Sequence, residues 1–144
     1  MEIDPELPTM ANVILERFRE KGFLVATAES CTGGLVSALL TSIPGSSDVV
    51  DRGFVTYSND AKMDLLGVSK DSLGEFGAVS VQVAAEMARG AIENSKADAA
   101  VSITGIAGPG GGDEEKPVGL VFIAVARRID EGSFVEEFRF SDMS

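Results

Sequence analysis

Three short segments bring together residue types that can do chemistry or hold a ligand. The first is Ala28-Glu29-Ser30-Cys31-Thr32-Gly33-Gly34. An apolar run leads into a polar, glycine-containing turn and then into a helical pattern. Glycine lets main chain come close to a ligand, and the N–H groups at a helix start have no intrahelical partner. Such a turn can hold a phosphate or an oxyanion, with Thr32, Gly33 and Gly34 as the contacting residues. It can equally be a capped helix start that satisfies its own backbone, because glycine turns from strand to helix are common in α/β folds. Ser30 is a candidate nucleophile and needs a base. The chain has no histidine. That removes Ser-His-Asp and Cys-His catalysis and leaves Lys, Tyr, Asp or Glu as the base. Cys31 is the rival nucleophile, but a small cysteine is more often inert packing, and nothing near it in sequence depresses a thiol pKa.

The second segment is Tyr57-Ser58-Asn59-Asp60-Ala61-Lys62. Tyr57 closes an expected strand and Lys62 falls on the first turn of the helix after it, so both side chains can reach a pocket at the strand's end. A lysine is a base only as the neutral amine, so its pKa must fall well below the ordinary value of about 10.4. Burial or a neighbouring cation achieves that, and a solvated surface does not. The pattern by itself favours a plainer reading, with Lys62 an exposed helix residue and Tyr57 an amphipathic edge residue.

The third segment, Thr104-Gly105-Ile106-Ala107-Gly108-Pro109-Gly110-Gly111-Gly112, follows a buried strand at its carboxyl end, where open α/β sheets gather their ligands. Its main-chain N–H groups can wrap a phosphate, and a mobile surface loop is the alternative. The spacing fits neither the P-loop nor the dinucleotide fingerprint. Asp113, Glu114 and Glu115 read as a solvated tip, since adjacent carboxylates repel and face different ways.

Composition narrows the classes further. A chain of 144 residues with 44% hydrophobic residues fits one domain with a real core. The acidic start, Met1 to Pro8, has no basic or apolar signal region, and no apolar run is long enough to span a bilayer. One cysteine allows no internal disulfide and points to a reducing cytoplasm. One Cys and no His make a zinc site improbable, while a carboxylate-held Mg²⁺ stays open. Twelve basic against 23 acidic residues, net −11, argue against a nucleic-acid partner, which needs clustered cations. A phosphorylated small ligand remains compatible, because backbone N–H groups can hold it.

The elements that must position these segments follow from periodicity. Helices are expected over 11–21, 35–40, 59–66, 69–76 and 81–94, and strands over 23–28, 53–57, 99–103, 118–126 and 133–140. Gly22 and Gly67 serve as stops, Ser80 as a cap, and the last two strands form a hairpin. Helices alternate with strands early and a hairpin comes last. The fold class is therefore α/β, a single three-layer domain with a mixed β-sheet flanked by helices.

Taken in order, Ala26-Thr27-Ala28-Glu29-Ser30-Cys31-Thr32-Gly33-Gly34, Pro44-Gly45-Ser46-Ser47, Gly53-Phe54-Val55-Thr56-Tyr57-Ser58-Asn59 with Lys62, Phe76-Gly77-Ala78-Val79-Ser80, Thr104-Gly105-Ile106-Ala107-Gly108-Pro109-Gly110-Gly111 and Lys116-Pro117-Val118-Gly119 resemble the CinA C-terminal domain family. The resemblance implies hydrolysis of the carboxamide of nicotinamide mononucleotide to nicotinic acid mononucleotide and ammonia, a step in pyridine nucleotide recycling. It implies Ser30 as nucleophile, Tyr57 and Lys62 as its activating pair, and Thr104 as a ligand or oxyanion contact. The loop carrying Gly105, Gly108 and Gly110 would take ribose or phosphate. No metal or organic cofactor and a homo-oligomer are implied. Family members continue past the last strand with an arginine-containing segment and a final helix. Residues 1–144 are therefore expected to be one such domain lacking that helix. The alternatives are a non-catalytic nucleotide-binding or regulatory domain, an amidohydrolase of another small amide, and a DNA-uptake or damage-response accessory role.

Overall fold

The computed structural model describes residues 3–140. The expectation about how the chain closes falls on Asp142, Met143 and Ser144, which lie outside the described residues, as do Met1 and Glu2 of the acidic start. In chain order the elements are α1 (Glu6–Lys21), β1 (Val25–Glu29), α2 (Leu35–Thr41), a 3-10 turn (Ser46–Asp48), β2 (Val50–Val55), α3 (Asn59–Leu66), α4 (Lys70–Phe76), α5 (Val81–Glu93), β3 (Ala99–Gly105), β4 (Leu120–Arg127) and β5 (Ser133–Arg139). The five strands form one sheet in the order β2-β1-β3-β4-β5. β1 pairs parallel with β2 and β3, and β3-β4-β5 run antiparallel. This is the mixed sheet with helices on both faces that the pattern implies.

The elements that differ most from the sequence reading are α1 and β2. α1 begins at Glu6, five residues early, although Pro8 lies within its first turn. Pro is tolerated there because the first N–H groups of a helix have no partner to lose. β2 runs from Val50 to Val55 and not from 53 to 57. Thr56 still donates its N–H to Glu29 O at 2.8 Å, but Tyr57 has left the ladder.

The pleat of β1 sorts its side chains. Ala26 and Ala28 lie in the core cluster built by α5, whereas Val25 lies in the cluster of α1 and α2. By the same period of two, Thr27 and Glu29 face α2, and Ser30 faces the α5 side. On β3, Ala100 belongs to the α5 cluster, Ser102 Oγ donates to Ala84 O of α5 at 2.6 Å, and Thr104 Oγ1 donates to Ala78 O at 2.9 Å. Ser30 and Thr104, at the ends of β1 and β3, thus face the α5 layer. α5 buries Val83, Ala84, Met87, Ala88, Ala91 and Ile92 on one stripe. Each Val, Met or Ile so buried contributes about 1.5–3 kcal/mol, which makes α5 the rigid floor of that layer. On the opposite face α1 and α2 cover the β1–β2 half. Val125 and Phe134, paired across β4 and β5, remain exposed.

Candidate active site

Ser30 sits one residue past the end of β1, held by its N–H, which donates to Ile103 O of β3 at 2.9 Å. The turn after it is built from the inside by Glu29. This carboxylate is fully buried and accepts from Thr32 Oγ1 at 2.6 Å and from the N–H groups of Val36 and Ser37 at 2.9 Å each. It binds the first turn of α2 to the end of β1, and a carboxylate at a helix start is electrostatically favoured. Gly33 donates its N–H to Ser30 O at 3.0 Å, and Gly34 takes φ 105°, a conformation that L side chains rarely adopt. Thr32, Gly33 and Gly34, expected at the ligand, therefore shape the turn, and none of them lines the cavity beside Ser30. Among the described residues no main-chain carbonyl accepts from the N–H groups of Cys31 or Thr32.

Lys62 comes from α3, whose N-cap Ser58 accepts the Ala61 N–H at 3.0 Å. Lys62 is 1% exposed, and its Nζ lies 3.0 Å from Ser30 Oγ, 3.0 Å from Thr56 O and 3.2 Å from Tyr57 O. Burial holds its pKa below the ordinary lysine value. The plain reading of Lys62 as a solvated helix residue is thus overturned. Tyr57 differs from the expectation in another way. The residue is 76% exposed, and it meets Lys62 through its main-chain carbonyl, not its phenol.

Cys31 lines the same cavity, but burial pushes its thiol pKa up, and the neighbouring Glu29 carboxylate adds to the shift. A raised thiol pKa means less thiolate.

The cavity has a volume of about 360 Å³. Ser30, Tyr57, Lys62, Thr104, Gly105, Gly108 and Gly110 all line it, so seven of the ten residues singled out in the sequence meet there. The hydroxyl of Thr104 is engaged with Ala78 O and straps the Ala78-Val79 wall to β3. Sequence reasoning missed Asn59, Ala78 and Val79 as lining residues, Thr56 as a carbonyl acceptor for the lysine amine, and Glu29 as the anchor of the turn. The alternation of side chains along β1 was the available signal for Glu29. Among the described residues no group of three or more Cys, Asp or Glu is placed to hold a metal, and no helix is long and apolar enough to cross a membrane.

The chain is similar in sequence and in fold to known proteins. A CinA-like protein of Syntrophobacter fumaroxidans is 54% identical over 131 residues, 91% of this chain and 30% of the relative. The chain spans about a third of the length of such longer relatives. The nicotinamide-nucleotide amidohydrolase PncC of Escherichia coli is 51% identical over 129 residues, 90% of this chain and 78% of the relative. A solved structure of the competence/damage inducible protein CihA from Agrobacterium tumefaciens superposes with a TM-score of 0.94 at 53% identity, covering 99% of this chain and 87% of that one. The family model described as the CinA C-terminal domain matches residues 7–143, a span that holds the whole sheet and the cavity, and the chain accordingly belongs to the CinA C-terminal domain family.

Proposed function

We propose that the chain is a nicotinamide mononucleotide amidohydrolase, releasing ammonia and nicotinic acid mononucleotide, with Ser30 as nucleophile and Lys62 as general base. One observation carries this reading: a fully buried lysine amine 3.0 Å from the serine hydroxyl. The similarity to PncC supports the substrate.

The valence of the amine explains the site. A neutral lysine amine has two N–H bonds and one lone pair. Thr56 O and Tyr57 O accept the two N–H bonds, and the lone pair is left for the Ser30 O–H. As Ser30 Oγ bonds to the carboxamide carbon, Lys62 takes the hydroxyl proton. The N–H group of Cys31, a lining residue next to Ser30 in the chain and without a main-chain acceptor among the described residues, receives the oxyanion. The tetrahedral intermediate collapses, its C–N bond breaks, and the Lys62 ammonium gives its proton to the departing amine, which leaves as ammonia. A water then attacks the Ser30 ester, with Lys62 again taking the proton, and the acid product and the free serine are restored. The Gly105, Gly108 and Gly110 stretch forms the wall available to ribose or phosphate. Neither metal nor organic cofactor is called for in this scheme.

The test is ammonia release from nicotinamide mononucleotide by the purified chain. Ser30→Ala and Lys62→Met are expected to lose at least about 10³-fold in kcat, on the scale of removing a member of a nucleophile–base pair. Cys31→Ala is expected to keep most of the activity. Loss in Cys31→Ala with retention in Ser30→Ala would reassign the nucleophile. Saturable ligand binding without any turnover would instead favour a non-catalytic nucleotide-binding domain.

A further inference from the structure

Tyr57 is fixed at one end and free at the other. Its carbonyl oxygen accepts from Lys62 Nζ at 3.2 Å, which pins its main chain beside the amine. Its ring is largely exposed, and its hydroxyl has no hydrogen-bond partner among the described residues. It is the one aromatic residue among those lining the cavity, and the one tyrosine in the chain. The same lining contains no carboxylate. A positively charged ligand entering the cavity finds no counter-ion there, and Lys62 is the one ionisable amine. The substrate in the reading above carries its carboxamide on an N-substituted pyridinium, which is flat and cationic. An aromatic face attracts such a ring through its quadrupole. A carboxylate in that position would attract the same cation but repel the carboxylate of the acid product.

We infer that Tyr57 acts through its ring, which lies against the pyridinium face and selects cationic N-substituted nicotinamides over neutral ones. The inference rests on the amidohydrolase reading for its substrate, and it makes the phenol oxygen dispensable to the proton transfer.

The experiment uses the full chain with Tyr57→Phe and Tyr57→Leu. A cation–π contact at a partly desolvated site corresponds to a factor of about 2 to 30 in affinity. Tyr57→Leu is expected to raise KM for nicotinamide mononucleotide within that range, with a smaller change in kcat. Tyr57→Phe, which keeps the face, should lie between the two and closer to wild type. The second readout is the ratio of inhibition constants for neutral nicotinamide and cationic 1-methylnicotinamide. Wild type should favour the cation by a similar factor, and the ratio should collapse toward unity in Tyr57→Leu. A merely structural role would weaken both ligands together. The third readout uses the absence of tryptophan. Emission from the single tyrosine should fall saturably as 1-methylnicotinamide binds, beyond the quenching of free N-acetyltyrosinamide. Three outcomes overturn the inference: Tyr57→Phe as damaging as Tyr57→Leu, a ligand ratio unchanged in Tyr57→Leu, or no saturable quenching. If wild type releases no ammonia from the nucleotide, the amidohydrolase reading falls, while saturable quenching by 1-methylnicotinamide and not by neutral nicotinamide still decides the role of the ring.

Discussion

A close main-chain approach behind the site links Gly90, three residues before the end of α5, to the last turn of α3, which makes Gly90→Ala an informative perturbation. A Cβ at Gly90 would stand 2.0 Å from Leu66 O, 2.8 Å from Leu66 C and 2.9 Å from Leu66 Cα. A carbon needs about 3.3 Å from a carbonyl oxygen, so the last turn of α3 must retreat by about 1.3 Å. α5 is the less movable partner, since its buried stripe runs along the sheet. Lys62 lies one turn before Leu66, and the two are the buried residues of α3. A retreat of α3 therefore carries Nζ from its 3.0 Å contact with Ser30 Oγ toward roughly 4 Å, outside hydrogen-bond reach. A misplacement of this size costs on the order of 10²-fold in rate. Overpacking costs about 1–3 kcal/mol of stability, offset by about 0.5–1 kcal/mol because alanine suits a helix interior better than glycine. The expected result is a folded protein whose Tm falls by several degrees and whose kcat/KM falls about 100-fold. The acid limb of its pH–rate profile should also move to higher pH. Burial lowers the lysine pKa, and a displaced amine that gains water titrates nearer its ordinary value. Ammonia release across pH, with thermal unfolding in parallel, checks all three. A variant with lowered Tm but wild-type kcat/KM and pH profile would refute the claim that the fit between α3 and α5 sets the dyad.

Two further outcomes follow from buried charge. Lys62 has a folded pKa below its ordinary 10.5, so the unfolded chain binds that proton more tightly. The stability of the folded state is then lowest below the folded pKa and rises with pH from there to 10.5. The Tm of wild type minus that of Lys62→Met should become more positive as pH climbs toward 10.5, and a pH-independent difference would contradict the depressed pKa. In Glu29→Gln an NH₂ group replaces one of two acceptor oxygens that serve three donors. At least one buried donor loses its acceptor, at a cost of about 1–3 kcal/mol. Denaturant unfolding should show that loss, with kcat reduced more than KM is raised. A change below about 0.5 kcal/mol would show that the carboxylate does not hold the turn.

Ser30 and the glycine loop were legible in the sequence because each follows an apolar run and begins a glycine-rich turn. Parallel pairing of β1 with β3 then places both at the same sheet edge. The boundary of β2 was not legible in the same way. The run from Phe54 to Tyr57 has strand-forming residues throughout, but the chain leaves the ladder early because the carbonyls of Thr56 and Tyr57 are taken by an amine that follows in sequence. Propensity carries no information about that bond.

The burial of Lys62 beside Ser30 was harder to read, and its signal lay in spacing. Lys62 and Leu66 stand four residues apart, so they share one face of α3, and Leu66 must be buried somewhere. Lysine's general preference for water argued against placing it there. What reverses that preference is local: two backbone carbonyls and one serine hydroxyl together satisfy every hydrogen-bonding position of a neutral amine. The protonated form could also donate to all three, yet it would hold its full charge in a hollow with no carboxylate among the lining residues. The surroundings therefore penalise the charge without penalising the amine, and this is the condition under which a lysine can accept a serine's proton.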